Sequence, residues 1–182
     1  MKRFVALVLP IVVFAISCRP AAAPVSVSTR PASVNDMPVR KPLKEMNWTT
    51  ADGKTASLTE LEGKAVILDF WATYCPPCKD EIPHLNDLQA KFGPAGLRVI
   101  GLNSGGPEDR PKIADFLKET AINYEMAFPE DDLVQLAFEG DDRIPQTLVI
   151  DRKGRIVKKI VGFNEQLRGQ LDAAVQTALA IE

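Results

Sequence analysis

One histidine, three cysteines and two tryptophans are all that 182 residues provide. A lone imidazole cannot build a multi-histidine metal cluster. Three cysteines are too few to staple a small secreted scaffold, so each needs its own explanation. Positive charge is not in surplus either. The 22 Lys and Arg stand against 24 Asp and Glu, which leaves no electrostatic footprint for nucleic acid. Lys2 and Arg3 are the only charges among the first 18 positions, so a chain beginning at Cys18 would keep 20 basic residues against 24 acidic ones, a net charge of −4. The remaining composition, 46% hydrophobic and 25% charged, is that of a globular protein and excludes collagen-like, coiled-coil and wholly disordered classes.

The chain opens with a basic pair, then thirteen apolar or Pro positions from Phe4 to Ile16. That run is shorter than the roughly 20 residues of a membrane-spanning helix, and Pro10 interrupts it. An export signal fits better. Ala15-Ile16-Ser17-Cys18 resembles the lipobox of bacterial lipoproteins, with Ala15 where that pattern prefers Leu. The resemblance implies a signal peptide over residues 1–17 and lipidation of Cys18; an ordinary signal peptide or an uncleaved anchor is the alternative. Residues 18–42 follow, with five Pro between Arg19 and Pro42 and almost no large apolar side chain. Such a segment cannot bury enough surface to offset the entropy of ordering and reads as an extended tether.

From residue 43 to 182 the texture is that of one folded domain. Asn47 to Thr50 and Lys54 to Leu58 flank Asp52-Gly53, a hairpin signal. Ala65 to Trp71 is a nearly continuous apolar run suited to a strand buried on both faces. A helix follows through Phe92, with Leu85, Leu88 and Phe92 on one face, and Gly93-Pro94 ends it. Leu97 to Asn103 is a second central strand. A helix over Ile113 to Thr120 should turn Ile113, Phe116 and Leu117 inward. A short strand, a short helix, a hairpin around Lys153-Gly154 and a last helix capped by Asn164 complete the pattern β-β-β-α-β-α-β-α-β-β-α. An α/β fold follows, a mixed sheet flanked by helices.

The chemistry lies between the first buried strand and its helix. Cys75-Pro76-Pro77-Cys78 brings two sulfurs within one turn, close enough to close a small disulfide. At a helix N-terminus the free N–H groups and the dipole favour a Cys75 thiolate, whereas Cys78, one turn inside, suits the resolving role. The two prolines bring no N–H donors of their own. A CxxC could also be half of a zinc site, but no second CxxC exists and His84 is the single imidazole, so N/S ligation cannot be completed and no metal site is expected. His84 is expected on the solvated surface, and Lys79-Asp80-Glu81 reads as a wet helix face.

The stretch Asp69-Phe70-Trp71-Ala72-Thr73-Tyr74-Cys75-Pro76-Pro77-Cys78-Lys79-Asp80-Glu81-Ile82-Pro83 resembles the active-site segment of the thioredoxin superfamily. More narrowly it resembles the TlpA/ResA-like branch of exported, membrane-tethered thiol-disulfide oxidoreductases, whose pattern is FWAxWCxPCxxExP. Ser57-Leu58, Gly63-Lys64 and Ile144-Pro145-Gln146-Thr147-Leu148-Val149-Ile150-Asp151 continue the match to the end of the chain. Tyr74 departs from the usual Trp and Gln146 from the common Thr, both at positions expected to line the substrate groove.

The resemblance implies a thioredoxin-like fold with an N-terminal β-hairpin extension. It also implies roles residue by residue. Cys75 and Cys78 form the redox-active disulfide, with no other cofactor. Asp69 is a buried carboxyl that takes a proton from Cys78; a strand-end Asp bonded to backbone is the alternative. Glu81 tunes the cysteine titrations, against an exposed helix Glu. Pro145 is a cis-proline facing the disulfide. Trp71, packed beneath the disulfide, joins Tyr74, Pro76, Pro77, Ile144 and Pro145 on the client-binding side. The implied protein is a monomer in the bacterial cell envelope, on the periplasmic side, that reduces protein thiol/disulfide clients such as apocytochrome c or copper-site cysteines. An integral membrane thiol relay of the CcdA/DsbD type would recharge it. A tethered copper chaperone and a thiol peroxidase are the alternatives. Sco-type copper carriers, however, space their cysteines three apart and add a distal His, and peroxiredoxin-like proteins place Pro and Thr ahead of a lone Cys.

Overall fold

The computed structural model describes residues 41–181. The expected signal peptide, Cys18 and nearly all of the expected tether lie outside the described residues. No helix among the described residues is long and apolar enough to cross a membrane.

Seven strands form one sheet: β1 (Asn47–Thr50), β2 (Thr55–Ser57), β3 (Ala65–Trp71), β4 (Leu97–Asn103), β5 (Glu125–Pro129), β6 (Gln146–Ile150) and β7 (Ile156–Val161). Their spatial order is β2-β1-β5-β4-β3-β6-β7. β3 runs parallel to β4 and β4 parallel to β5, whereas β6 lies antiparallel to β3 and β7 antiparallel to β6. Among the described residues the α-helices are α1 (Pro76–Phe92), α2 (Ile113–Glu119), α3 (Asp131–Ala137) and α4 (Glu165–Ala180). The expected order of elements is therefore the observed one. The β1–β2 hairpin extends the sheet beyond β5, to which β1 pairs antiparallel. Gly53, at φ 82°, takes the left-handed turn conformation that a β-branched residue would resist.

All seven residues of β3 are buried, as a strand covered on both faces must be. Alternation sends them two ways. Val66, Leu68 and Phe70 join Trp48, Ile100, Leu102, Leu133 and Leu148 in one core. Ala65 and Ile67 join Leu85, Leu88, Val99, Leu171 and Val175 in the other, under α1 and α4. Each Val, Leu, Ile or Phe among them contributes about 1.5–3 kcal/mol by leaving water. Asp69 falls on the second face, between Ile67 and Trp71, where the alternation calls for an apolar residue. Asn164 caps α4 by accepting from the Leu167 N–H at 2.9 Å. Leu117 departs from its expected inward position and is 37% exposed, because the two-turn helix α2 packs through Ile113 and Phe116 alone.

Candidate active site

Cys75 is the N-cap of α1, and it forms a disulfide with Cys78. Pro76 and Pro77 occupy the first two helical positions and lack N–H groups, so the first backbone donor available to the cap is that of Cys78. It donates to Cys75 Sγ at 3.2 Å. In the reduced state the same donor and the helix dipole would favour a thiolate at Cys75. Cys78 is 1% exposed and Cys75 4%. Both pack with Trp71, Ile82, Ile113 and Phe116. The Trp71 ring lies 5.0 Å from that of Phe116, and Trp71 is fully buried. Trp71 therefore supports the disulfide from inside and cannot line the client-binding face, which corrects half of its expected role.

Two carboxyls lie in this interior. Asp69 is 1% exposed, and its Oδ1 has no hydrogen-bond partner. The backbone-bonded alternative for Asp69 thus has no counterpart at that oxygen. Glu81, one helical turn after Cys78, is also 1% exposed, which removes it from the wet face expected of Lys79-Asp80-Glu81. Glu81 Oε1 accepts from the Thr147 hydroxyl at 2.8 Å, and Oε2 is unpartnered. β3 and β6 place Asp69 and Thr147 directly opposite each other, so strand register brings the two acids together. Burial first, then the neighbouring Glu81 charge, pushes the Asp69 carboxyl well above the usual range, while the Tyr124 hydroxyl opposes the rise. Burial also pushes Glu81 up to about 7, against the lowering effect of its Thr147 hydrogen bond. An acid with a raised folded pKa adds stability that is complete below its unfolded pKa and lost as pH climbs through the folded one. The oxidised protein should therefore lose on the order of 1–3 kcal/mol between pH 4.5 and about 7. Glu81→Gln should flatten that slope in thermal unfolding; an unchanged slope would remove Glu81 as its source.

A further buried carboxylate, Asp109, holds the approach to Cys75. Asp109 is 1% exposed and accepts from the Thr73 N–H (2.9 Å), the Thr73 hydroxyl and Asn103 Nδ2 (2.8 Å). Burial pushes its carboxyl up, but these hydrogen bonds outweigh burial and hold it below the ordinary value. A Cβ at Gly105 would stand 2.5 Å from Asp109 Oδ2, so the loop after β4 closes tightly over the clamp. Sequence reasoning did not single out Asp109, whose partners lie 36 and 6 positions away.

Across from the disulfide, the Ile144–Pro145 peptide is cis. Ile144 is half-buried, and Tyr74, at 64%, is the most exposed large hydrophobic residue among the described residues. With Ser104, Val134, Phe138, Asp142 and Arg143 they line an open cleft of about 520 Å³. Pro76 is exposed and Pro77 half-buried beside it. Gln146, expected in the groove, is instead fully buried, its side-chain amide donating to the Asp141 carbonyl. His84 also departs from expectation. It is 8% exposed and pairs with Asp172 of α4 at 2.8 Å. Among the described residues no group of three or more His, Cys, Asp or Glu side chains is arranged to hold a metal.

A thioredoxin-like sheet carrying a CxxC disulfide at the N-terminus of its first helix defines a thiol-disulfide oxidoreductase. The chain belongs to the AhpC/TSA family, whose model matches residues 39–159. It is 30% identical over 145 residues to thiol-disulfide oxidoreductase ResA of a Bacillus cereus strain, covering 80% of this chain and 81% of that one. The crystal structure of a thiol:disulfide interchange protein, a thioredoxin family protein from Chlorobium tepidum TLS, is 30% identical with a TM-score of 0.59 and covers 77% of this chain and 98% of its own. That of a candidate thiol:disulfide interchange protein DsbE from Chlorobium tepidum has 28% identity and a TM-score of 0.65, covering 74% and 92%.

Proposed function

We propose that the protein reduces disulfides in client proteins outside the cytoplasm, with Cys75 as nucleophile, Cys78 as resolving thiol and Asp69 as proton acceptor, aided by Glu81. The observation that carries this reading is the pairing of a disulfide capping a helix with two buried carboxyls of raised proton affinity. In the reduced form, the Cys75 thiolate attacks one sulfur of a client disulfide. The client S–S bond breaks, one client thiolate leaves, and a mixed disulfide forms. Cys78 then attacks Cys75 Sγ as its proton passes to the Asp69 carboxylate. The Cys75–Cys78 bond closes and the second client thiolate leaves. The client gains two electrons and this chain loses two. A raised carboxyl is the better base here, because its proton affinity approaches that of a thiol. No further cofactor is needed.

An extended client segment fits along Tyr74, Pro76 and Pro77 beside the cis Pro145, where the backbone of Ile144 can pair with it. The direction of electron flow, the cell-envelope location and the lipid anchor at Cys18 rest on the resemblance to TlpA/ResA-like proteins. So do recharging by a CcdA/DsbD-type relay and clients among apocytochrome c or copper-site cysteines. The test is capture by Cys78→Ser in cells, with mass spectrometry of what remains joined to Cys75. Exported proteins with paired cysteines, and a membrane thiol protein, are the expected catch. Peroxide turnover or stoichiometric Cu(I) binding without any captured protein would contradict the reading.

A further inference from the structure

Tyr124 stands immediately before β5, and sequence reasoning gave it no function. Its ring packs against the core under α1 and α4, yet its buried hydroxyl makes no well-formed hydrogen bond, and the group it acts on is the Asp69 carboxyl. A buried hydroxyl without a partner is costly, and Phe would fill the same space without that cost. Packing therefore explains the ring and leaves the hydroxyl unexplained.

The surroundings aim that hydroxyl. Gly101 pairs with Asp69 across β3 and β4 and with Met126 across β4 and β5. A Cβ at Gly101 would stand 2.9 Å from Tyr124 Cε2 and 3.1 Å from Trp71 Nε1, so the missing side chain is the room in which the ring lies beside Asp69. Asn86 of α1 fixes the segment leading to Tyr124 from the other side. Its Nδ2 donates to the Ala121 carbonyl at 2.8 Å, and its Oδ1 accepts from the Asn123 N–H at 2.7 Å. The unpartnered polar atoms gathered here are Tyr124 Oη, Asp69 Oδ1, Glu81 Oε2 and Trp71 Nε1. From β3 the Asp69 carboxyl acts on the hydroxyl, and from α1 the hydroxyl feels the charge of Glu81, which Thr147 of β6 holds through its other oxygen. Glu81 opposes ionisation of Asp69, whereas the Tyr124 hydroxyl favours it.

We propose that Tyr124 is a positioning residue of the redox site, its buried hydroxyl donating a hydrogen bond to the Asp69 carboxylate whenever that group ionises. The inference rests on the proposed role of Asp69 as proton acceptor. An acceptor beside a second acid would otherwise keep its proton through the pH range of exchange. One neutral donor makes the carboxylate accessible without adding a buried cation. Burial and the two carboxyls push the Tyr124 hydroxyl well above its ordinary value, so it stays protonated and remains a donor.

The test is Tyr124→Phe in the full chain, read by carboxyl ¹³C NMR titration of the oxidised protein, with Asp69→Asn and Glu81→Gln to assign the two resonances. Loss of one hydrogen bond to a charged group should raise the Asp69 midpoint by about one pH unit. The acid limb of insulin-disulfide reduction should move up by the same amount, and Asp69→Asn/Tyr124→Phe should behave as Asp69→Asn alone. Thermal unfolding establishes that each variant is folded, and a retained ring makes Tyr124→Phe the mild one. An Asp69 midpoint that stays put or falls overturns the inference, whatever the exchange rate does. A raised midpoint with an unmoved acid limb supports the hydrogen bond and removes Asp69 from the base role, so the two ideas fail separately.

Discussion

Asp69→Asn is expected to slow insulin-disulfide reduction near neutral pH by about 10²-fold while stability holds or rises. The substitution keeps the side chain's shape and removes the proton acceptor. Cys78 must then shed its proton unaided before it attacks the mixed disulfide, so the resolving step bears the loss. Stability should move the other way, because Asp69 is 1% exposed and its ionisation is opposed by burial and by Glu81. A neutral amide there avoids the cost of a buried charge. The paired measurement is turnover and thermal unfolding of the oxidised protein. Intact turnover with lowered stability would make Asp69 a structural hydrogen-bonder and end its catalytic assignment.

The second large effect is structural and acts on the segment that leads from β3 to Cys75. Asp109→Ala removes three hydrogen bonds to a buried carboxylate and strands donors of Thr73 and Asn103. A loss of about 3 kcal/mol, or roughly 10 °C in Tm for a domain of this size, is the expected result. Asp109→Asn should fall between the two, since one oxygen survives while the new amide faces donors. The folded carboxyl of Asp109 lies below its ordinary value, so its contribution is present above the unfolded pKa and lost as pH falls through the folded one. Thr73 lies two residues before Cys75, so the variant should also slow exchange. A Tm within about 2 °C of wild type would show that the loop is held by other contacts.

The order of strands and helices was readable because each element carries its own local signal. Ala65 to Trp71 is apolar throughout except for Asp69, Gly93-Pro94 stops α1, and Asn164 caps α4. Where the β1–β2 hairpin attaches was not readable, since its pairing with β5 joins residues far apart in the chain and no local pattern encodes it. The two cysteines were found by spacing alone, and Asp69 and Glu81 through the motif around them. Reading Lys79-Asp80-Glu81 as a wet face failed for Glu81 because its partner, Thr147, lies 66 residues away on β6. His84 failed for the same reason, its partner Asp172 being 88 residues distant. Trp71 and Gln146 were placed on the groove by motif position. Both are buried because β3 and β6 are covered on both faces, with Trp71 packed against Phe116 and Gln146 bonded to the Asp141 backbone. Tyr124, Gly101 and Asp109 have no motif. The one available hint was an Asp inside the apolar run of β3, which demands a polar neighbour somewhere in the fold.

The central claim is a division of labour, in which Cys75 attacks and Cys78 resolves. The most direct measurement mixes reduced Cys78→Ser and reduced Cys75→Ser separately with insulin, quenches with acid and maps the mixed disulfides by mass. The account expects a long-lived adduct on Cys75 in the first variant and little adduct in the second, because Cys75 holds the cap position that stabilises the attacking thiolate, whereas Cys78 lies inside the helix and is the less exposed of the two. A faster and more abundant adduct on Cys78 in the second variant would reverse the assignment and contradict the account.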